Sequence, residues 1–473
     1  MALVFDPLRY SAVALDAMAT SQGTTQALLA RQHYRLQSLV ASALRGSGLY
    51  RALLTQKTQG AWQLADLPVV HKQELMARFD DWVTDPAIRL NVVRPLLADA
   101  GRIAEPLLGK YMVWESSGTS HQPGIFVQDA QTMAVYDALE ALRCSRPRPL
   151  LRWLDPLLLT ERIAFVGAID GHFSSIVSMQ RMRKINPFMA RQLQCFSILQ
   201  PLHSLVKALN AFDPTVIATY PSVAAMLAEE VERGALKSKP KEVWTGGETL
   251  SAGVRQHVEH TMDCSVRNSY GASEFMAIGW ECAHGHMHAN TDWLILEPVD
   301  AAGQPVPPGQ QSHTTLLTNL ANHVQPLIRY DLGDQLTVHP EPCACGSPLP
   351  VISVLGRRDE PLVMLADNGQ KIILLPLALT TVLEEEAGVF DFQVQQQDAT
   401  TLLIKLPVSA GDALATSARC ASVVKAFAVR LGLTSVRVLT QADQTLTRGL
   451  SGKVQRVIAQ QLVTKPTRCE AVA

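Results

Sequence analysis

The spacing of apolar and polar residues predicts a long amphipathic helix near the start of this chain of 473 residues. Between residues 24 and 56, leucine, valine and tyrosine recur every three or four positions, with arginine and glutamine between them. That period is typical of a helix with one buried face. Because Gly46 and Gly48 flank Ser47, we expect the helix to end there.

The middle of the chain alternates between short apolar runs and helical segments, which is typical of α/β layers with parallel strands. The runs at residues 163–166, 216–220 and 242–245 are predicted to be buried strands. Residues 222–234 are predicted to form the crossover helix between the second and third of them. The sequence therefore predicts a large α/β body.

The pattern changes near residues 356–360. Residues 363–365 and 371–374 are predicted to form a β-hairpin, with Asn368-Gly369 supplying the positive φ angles of its turn. The predicted elements beyond it are helix 377–387, strands around 392–394 and 402–404, helix 412–431 and strand 435–439. Together they suit a small α+β domain. We therefore predict two domains, residues 1–356 and 360–473, with a hinge near Asp359.

Composition excludes several classes of protein. The net charge is −1, so neither nucleic acid nor an anionic membrane is expected as a partner. The sequence has no apolar run of about 18 residues, the length that spans a bilayer, and residues 1–7 lack the features of a secretion signal. Eight cysteines in a chain of this size indicate mostly free thiols rather than a disulfide scaffold. We expect a cytoplasmic protein.

Six short motifs follow one another along the chain. They are residues 116–120 (SSGTS), 245–248 (TGGE), 268–274 (NSYGASE), 330–334 (YDLGD), 356–359 (GRRD) and 451–453 (SGK). Any one of them could occur by chance, but six in this order do not.

In this order the motifs resemble those of the adenylate-forming superfamily, which contains acyl-CoA synthetases, peptide-synthetase adenylation domains and luciferases. Residues 64–75 (LADLPVVHKQEL) are similar to a segment of its phenylacetate–CoA ligase-like branch. The resemblance spans nearly the whole chain. It implies a large multi-layer α/β N-terminal body with a small mobile α+β C-terminal domain. It also implies that ATP activates a carboxylic acid as an acyl-adenylate, with release of pyrophosphate.

The resemblance assigns roles around ATP and Mg²⁺. Tyr270 would stack on adenine, Ser273 would bond the α-phosphate, and Asp334 would accept both ribose hydroxyls. Glu274 offers Mg²⁺ a hard oxygen ligand, and Lys453 would stabilise charge at the reacting centre. The other predicted nucleotide contacts are Ser116, Ser117, Gly118, Thr119, Ser120, Gly246, Gly247, Glu248, Asn268, Ser269, Gly271 and Arg357.

The phosphate loop departs from the family pattern. Where relatives continue with glycine and lysine, this chain has His121 and Gln122. The change removes flexibility and a positive charge. Weaker ATP binding, a pH-sensitive role for His121 and loss of activity all stay open. A degenerate, non-catalytic binding protein of the same fold is therefore the alternative function, and an ordinary polar turn is the alternative for the loop.

A second cluster is independent of ATP. Cys282 and His288 precede the pair Cys343 and Cys345, and thiolates with imidazole suit tetrahedral Zn²⁺. The phenylacetate ligase-like branch often carries such a site. Four protein ligands would close the coordination shell, so we predict a structural metal. The alternative is buried free thiols beside a surface histidine cluster.

The acyl pocket and the acceptor are less defined. Aromatic residues in segments that usually line the pocket favour an aryl acid, and His172 could meet its carboxylate or be a core histidine. The predicted pocket residues are Phe126, Tyr136, His172, Phe173, Tyr220 and Gly271, with His172 also a catalytic candidate. The acceptor would be coenzyme A or the phosphopantetheine of an acyl or peptidyl carrier protein, because residues 362–376 depart from the phenylacetate ligase pattern. A homodimer is left open.

Overall fold

The structure is a computed structural model. It describes residues 4–58, 60–116, 123–143, 161–248, 250, 252–355, 362–389, 392–406, 413–442 and 457–459. These residues divide into two compact units, the larger containing those up to residue 355 and the smaller those from residue 362 onward. The predicted hinge residue Asp359 lies outside the described residues.

The predicted N-terminal amphipathic helix is confirmed, and so is its end. It runs from Thr25 to Gly46, and a second helix begins at Gly48 because Ser47 is extended and its hydroxyl accepts a hydrogen bond from the Tyr50 N–H at 3.2 Å. The helices of the larger unit are α1 (Pro7–Ser21), α2 (Thr25–Gly46), α3 (Gly48–Leu54), α4 (Lys72–Ala77), α5 (Phe79–Trp82), α6 (Leu90–Leu97), α7 (Ala130–Arg143), α8 (Ser174–Ile185), α9 (Met189–Gln192), α10 (Leu202–Phe212), α11 (Pro221–Glu232) and α12 (Ala252–Met262). In the described part of the chain, no helix combines the length and apolar character that crossing a membrane requires.

Strands of the larger unit form a nine-stranded sheet, a three-stranded sheet and a hairpin. The strands are β1 (Met112–Glu115), β2 (Ile125–Gln128), β3 (Ile163–Gly167), β4 (Leu193–Ser197), β5 (Val216–Thr219), β6 (Glu242–Thr245), β7 (Ser265–Ala272), β8 (Phe275–Glu281), β9 (Met287–Ala289), β10 (Leu294–Val299), β11 (Thr314–Asn319), β12 (Leu327–Asp331), β13 (Gln335–Val338) and β14 (Val351–Leu355). The large sheet has the order β13-β14-β9-β8-β7-β6-β5-β3-β4, parallel from β4 to β7 and antiparallel beyond.

The three predicted buried strands and the crossover helix are confirmed as β3, β5, β6 and α11. The strands are mostly apolar, and β3 (IAFVG) is wholly so, because helices cover parallel sheets on both faces. Pro221 opens α11, where its missing N–H costs no helical hydrogen bond. The carboxyl ends of β3, β5, β6 and β7 therefore meet at one edge of the sheet, where open α/β sheets bind ligands.

The hairpin β1–β2 and the sheet β10-β11-β12 pack with the N-terminal helices in one core. Its largest fully buried side chains include Trp82, Trp114, Tyr50, Phe126 and Phe275. This core supports the segments that follow β1, β7 and β12, and those segments carry the predicted motifs.

The smaller unit contains a hairpin and a four-stranded sheet of order β19-β18-β17-β20. Its elements are β15 (Leu362–Leu365), β16 (Lys371–Leu374), α13 (Pro376–Thr381), a π-helical turn (Val382–Glu386), β17 (Gln393–Gln396), β18 (Thr401–Leu406), α14 (Ala413–Arg430), β19 (Arg437–Ala442) and β20 (Val457–Ile458). The predicted hairpin is confirmed, but its turn differs from the prediction. Only Gly369 has a positive φ, because Ala366 and Gln370 close a three-residue loop in which Asn368 instead accepts a hydrogen bond from the Gln370 N–H.

Candidate active site and metal centre

Three predicted motifs lie at the carboxyl ends of neighbouring parallel strands. Tyr220 follows β5, and Gly246 and Gly247 follow β6. Residues 270–272 end β7, and residues 273–274 follow it. The hydroxyl of Thr245 donates to the Asn268 carboxamide oxygen at 3.0 Å, so the ends of β6 and β7 are also joined through side chains. The fold thus brings together segments that are up to 54 residues apart in the chain.

The two glycines after β6 have neighbours that leave little room for side chains. A Cβ on Gly247, whose φ is +79°, would lie 3.2 Å from the Tyr220 ring. A Cβ on Gly246 would lie 3.0 Å from the Ser269 hydroxyl oxygen. Bare backbone at these positions fits the close approach of a planar ligand that the resemblance implies.

Two tyrosines hold the two acidic residues assigned to ATP and Mg²⁺. The Tyr270 phenol donates a hydrogen bond to Asp334 Oδ2, and the Tyr330 phenol donates one to Glu274 Oε1, each at 2.7 Å. Burial and the neighbouring carboxylates raise the pKa of both phenols well above the usual value, so both stay protonated donors. Glu274, held by the Tyr330 phenol, suits a carboxylate ligand for Mg²⁺. Asp334, held by the Tyr270 phenol, suits an acceptor for ribose hydroxyls.

Two side chains hold the backbone of the segment between Tyr270 and Glu274 by hydrogen bonds. The Trp114 indole N–H donates to the Ser273 carbonyl at 2.8 Å, and the Asn319 amide donates to the Glu274 carbonyl at 3.0 Å. The motifs predicted no role for Trp114, Asn319 or Tyr330. Tyr330 had a detectable signal, because it precedes Asp334 by the same four residues that separate Tyr270 from Glu274.

The base of the predicted phosphate loop closes between β1 and β2. The Ser116 N–H donates to the Gly124 carbonyl, and the Gly124 N–H donates to the Ser116 hydroxyl oxygen, each at 2.8 Å. The other predicted loop residues, Ser117, Gly118, Thr119 and Ser120, lie outside the described residues, as do His121, Gln122, Arg357 and Lys453. Their roles stay predictions.

The predicted pocket residues do not all share one environment. Phe126 and Tyr136 are buried in the core, where Phe126 packs edge-on against Trp82 and Tyr136 against Phe275. Tyr220 and Phe173 are half-buried, and burial raises the pKa of Tyr220 to about 12. Their contacts with a substrate stay predictions.

His172 has the environment of the core histidine that was its alternative interpretation. It is 1% exposed, and its Nε2 donates to the Asp99 carbonyl at 3.0 Å. Burial lowers the pKa of His172, so the neutral ring is favoured. Its role at the substrate carboxylate stays a prediction.

The four predicted zinc ligands lie together at the far end of the antiparallel half of the large sheet. One donor atom from each of Cys282, His288, Cys343 and Cys345 lies within 4.8 Å of the others. The pairing of β9 with β14, with Val351 opposite His288, brings the two segments together across about 60 residues. His288 Nδ1 donates to the Leu349 carbonyl at 2.8 Å, so the lone pair of Nε2 can bind a metal ion.

The spacing of the cluster fits a tetrahedral ion. Sulfur ligands at about 2.3 Å from zinc lie about 3.8 Å apart, and a sulfur and a nitrogen ligand lie about 3.6 Å apart. Cys282 Sγ and Cys343 Sγ are 3.8 Å apart, and Cys345 Sγ is 3.3 Å from His288 Nε2. Burial opposes ionisation of Cys343, but hydrogen bonds from the Cys345 N–H and from His286 outweigh it and lower its pKa to about 6. Burial raises the pKa of Cys345 to about 11.

Comparison with known proteins finds similarity in the stretch that carries two of the motifs. The family model described as AMP-binding enzyme matches residues 192–313, which contain the motifs after β6 and β7. Over this stretch the chain is similar to AMP-binding enzymes. Protein CapK of Staphylococcus aureus is 22% identical over 282 residues, which are 53% of this chain and 59% of CapK. Phenylacetate-coenzyme A ligase of Pseudomonas putida is 26% identical over 175 residues, which are 34% of this chain and 38% of the ligase.

A solved structure has the same fold. It is 2-hydroxyisobutyryl-CoA ligase in complex with 2-HIB-AMP and CoA, with a TM-score of 0.57, 20% identity, and coverage of 93% of this chain and 91% of that one. In its postadenylation state the same ligase gives a TM-score of 0.53 at 20% identity, with coverage of 94% and 92%. The predicted fold class is confirmed. The matched stretches span 59% and 38% of the two curated relatives.

Proposed function

We propose that this protein uses ATP and Mg²⁺ to convert a carboxylic acid into an acyl-adenylate and then transfers the acyl group to a thiol. The observation that carries the proposal is the pair of hydrogen bonds that orients Asp334 and Glu274 at the edge formed by β6 and β7. These are the two acids that the superfamily resemblance assigns to ribose and to Mg²⁺. The names of two relatives, phenylacetate-coenzyme A ligase and 2-hydroxyisobutyryl-CoA ligase, support the same reaction class.

Each residue would contribute a defined interaction to the first step. A carboxylate oxygen of the acid attacks the α-phosphorus of ATP, and the bond from that phosphorus to the bridging oxygen of pyrophosphate breaks. Bound Mg²⁺ would offset phosphate charge, with Glu274 as its protein ligand. Asp334 would hold the ribose, Gly246 and Gly247 would allow close approach of the base, and Lys453 would stabilise charge on the reacting groups.

In the second step, a thiolate would attack the acyl carbonyl and AMP would leave. We propose coenzyme A as the acceptor, in keeping with the names of the relatives, and a carrier-protein phosphopantetheine as its alternative. We propose an aryl acid as substrate. Phenylacetate in the name of one relative supports this choice, as does a half-buried tyrosine beside Gly247, since Tyr220 combines an aromatic face with a hydroxyl.

We also propose that Cys282, His288, Cys343 and Cys345 bind one structural Zn²⁺. The matching tetrahedral distances and the His288–Leu349 hydrogen bond support this assignment. Four protein ligands leave no open coordination position, so the ion would tie the loop before β14 to β9 rather than take part in catalysis.

Pyrophosphate release tests the proposed reaction. Purified protein is incubated with ATP, Mg²⁺ and a panel of benzoic and phenylacetic acids, and release should depend on the acid. Lys453→Ala should lower the rate by about 10²–10³-fold, the effect of losing one preorganised contact to the transition state. Lys425→Ala, which alters an exposed lysine of α14, serves as the matched control. Equal rates in Lys453→Ala and the parent would remove the lysine from the mechanism.

The non-catalytic alternative makes a different prediction in the same assay. It is motivated by residues 120–122, where the phosphate loop lacks the glycine and lysine of its relatives. ATP binding without pyrophosphate release for every acid tested would favour it. Absence of ATP and AMP binding at millimolar concentration in folded protein would exclude the proposed reaction and leave binding of an acid as the alternative function.

A further inference from the structure

We propose that Tyr270 and Tyr330 are positioning residues. Each tyrosine orients the acidic residue at the end of the motif that contains the other tyrosine. Tyr270 would set the orientation of Asp334 toward the ribose, and Tyr330 would set that of Glu274 toward the metal ion. We call the contacts Tyr270–Asp334 and Tyr330–Glu274 the crossed pairs. The proposal rests on the proposed function, because it assigns the two acids to a bound nucleotide and its cation.

The crossed pairs exchange partners between two motifs of equal spacing. In each motif, a tyrosine precedes an acidic residue by four positions: Tyr270 precedes Glu274, and Tyr330 precedes Asp334. Neither phenol bonds the acid of its own motif. Instead each donates to the acid of the other, at the same distance of 2.7 Å. Because β7 belongs to the nine-stranded sheet and β12 to the three-stranded sheet, the crossed pairs also join two sheets.

Both tyrosines lie beside irregularities in their strands. The β7–β8 register shifts between Tyr270 and Ala272, and the β11–β12 register shifts next to the pair formed by Leu317 and Tyr330. Arg329, immediately before Tyr330, has a left-handed φ of +51° although it is not glycine. Bulges redirect side chains and concentrate near active sites, as do left-handed non-glycine residues. The backbone therefore departs from regular strand geometry at the two positions that aim the phenols.

Selection of Glu274 by Tyr330 is specific, although another carboxylate follows it directly. Asp331 accepts a hydrogen bond from the Thr314 hydroxyl at 2.6 Å and lies 3.5 Å from His71 Nδ1. Successive side chains of a strand point to opposite faces, so Asp331 faces away from Tyr330. The crossed pairs therefore contain Glu274 and Asp334, the acids assigned to the nucleotide and its cation, and leave out Asp331.

A phenol that donates a hydrogen bond to a carboxylate restricts the orientation of the carboxylate but uses only part of its capacity to accept hydrogen bonds. An ionised carboxylate has about four acceptor positions, and the phenol uses one of them. Charge-assisted O–H···O⁻ bonds of this length are among the stronger hydrogen bonds in proteins, so the carboxylate plane is held in one orientation. A carboxylate held in one orientation is preorganised for the ligand, which reduces the entropy lost on binding.

The two pairs predict different defects, which binding measurements can separate. AMP and 2′,3′-dideoxy-AMP are titrated into the parent protein, Tyr270→Phe and Tyr330→Phe by calorimetry, and the Mg²⁺ dependence of ATP binding is measured for each. Tyr270→Phe should weaken AMP about tenfold but dideoxy-AMP less than about twofold, because the analogue lacks the hydroxyls that Asp334 would hold. Tyr330→Phe should keep the ratio of the two affinities and raise the Mg²⁺ concentration for half-maximal ATP binding about tenfold.

Tyr111→Phe is the matched control. Its phenol donates to Asp85 at 2.6 Å, a phenol–carboxylate pair of the same kind outside the candidate site. It should change neither the affinity ratio nor the Mg²⁺ dependence. If a phenylalanine variant does not fold, 3-fluorotyrosine at that position keeps the ring and makes the phenol a stronger donor. Fluorination at position 270 should then shift the affinity for AMP and leave that for dideoxy-AMP unchanged, and at position 330 it should shift the Mg²⁺ dependence.

The outcomes distinguish this proposal from the proposed function. A parent protein that binds no adenine nucleotide overturns the proposed function and the crossed pairs with it. A parent that binds AMP, with a Tyr270→Phe variant that loses AMP and dideoxy-AMP affinity equally, overturns only the ribose role and leaves adenine stacking. An unshifted Mg²⁺ dependence in Tyr330→Phe overturns the metal role.

Discussion

Gly271→Ala should destabilise the larger unit even in the absence of any ligand. The sequence analysis assigned Gly271 to nucleotide and substrate contacts. The structure adds a reason that is independent of ligands, because a Cβ at this position would collide with the backbone carbonyl of Met276. Its distance from the carbonyl carbon would be 3.0 Å, and the oxygen would lie closer than any separation that real Cβ atoms show.

The contacts around Gly271 determine how much stability the Gly271→Ala variant loses. A flexible side chain could move away, but the Met276 carbonyl belongs to β8, which pairs with β7 on both sides of this point through Tyr270–Gly279 and Ala272–Phe275. Relief therefore requires the two strands to separate locally. Overpacking of a buried site costs about 1–3 kcal/mol, and we expect the upper end, about 3 kcal/mol, because the obstacle is backbone. Loss of one hydrogen bond between the strands would add about 1 kcal/mol.

Urea denaturation followed by tryptophan fluorescence measures the effect selectively. All seven tryptophans lie at or before residue 293, so the signal reports on the larger unit alone. Gly253→Ala is the matched control, because a Cβ on Gly253 in α12 would meet nothing within 4 Å. That variant should gain up to about 1 kcal/mol of stability from helix propensity. A Gly271→Ala variant as stable as the parent would refute the steric argument.

Three further predictions concern the metal, a buried histidine and the phosphate loop. Elemental analysis should find one zinc per chain, lost with stability in Cys343→Ser but retained in Cys264→Ser; zinc-free protein purified without chelator would contradict this. Burial lowers the pKa of His172, so the unfolded chain binds more protons below pH 6.5 and stability of the larger unit should fall from pH 7 to pH 5. His172→Gln should reduce this loss of stability between pH 7 and pH 5. An unchanged loss would exclude His172 as its source. His121→Gly with Gln122→Lys should lower the KM for ATP roughly three- to thirtyfold and leave the KM for the acid unchanged, since a regained charge-assisted contact is worth about 1.5–3 kcal/mol at most; no gain would mean that His121 or Gln122 has a role of its own.

The sequence alone determined the elements whose signal is local. The helix that ends at Gly46, the strands β3, β5 and β6 and the helix α11 follow from apolar spacing and from caps within a few residues. Candidate chemistry was equally visible where motifs resemble those of a superfamily, as in residues 268–274 and 330–334. The four zinc-ligand candidates were also named from sequence, because cysteine and histidine at such spacing have few other uses.

Tertiary structure decided which of these groups meet. Tyr330 had the carboxylates Asp331 and Asp334 in its own motif, yet its partner is Glu274, 56 residues away, because strand alternation and a bulge direct it there. Phe126 and Tyr136 were predicted to line the acyl pocket. The structure buries both side chains in the core, an environment that the sequence could not reveal because aromatic side chains suit either place, and their contact with a substrate stays a prediction.

Tertiary structure also decided backbone conformation at particular residues. The local signal of Asn368-Gly369 predicted two positive φ angles, but the closing pair of the hairpin left one. The need for glycine at position 271 arises from a carbonyl on the next strand. Local preferences depend on neighbours within about one helical turn, which the sequence displays directly. Contacts between strands depend on the path of the chain, which only the folded structure provides.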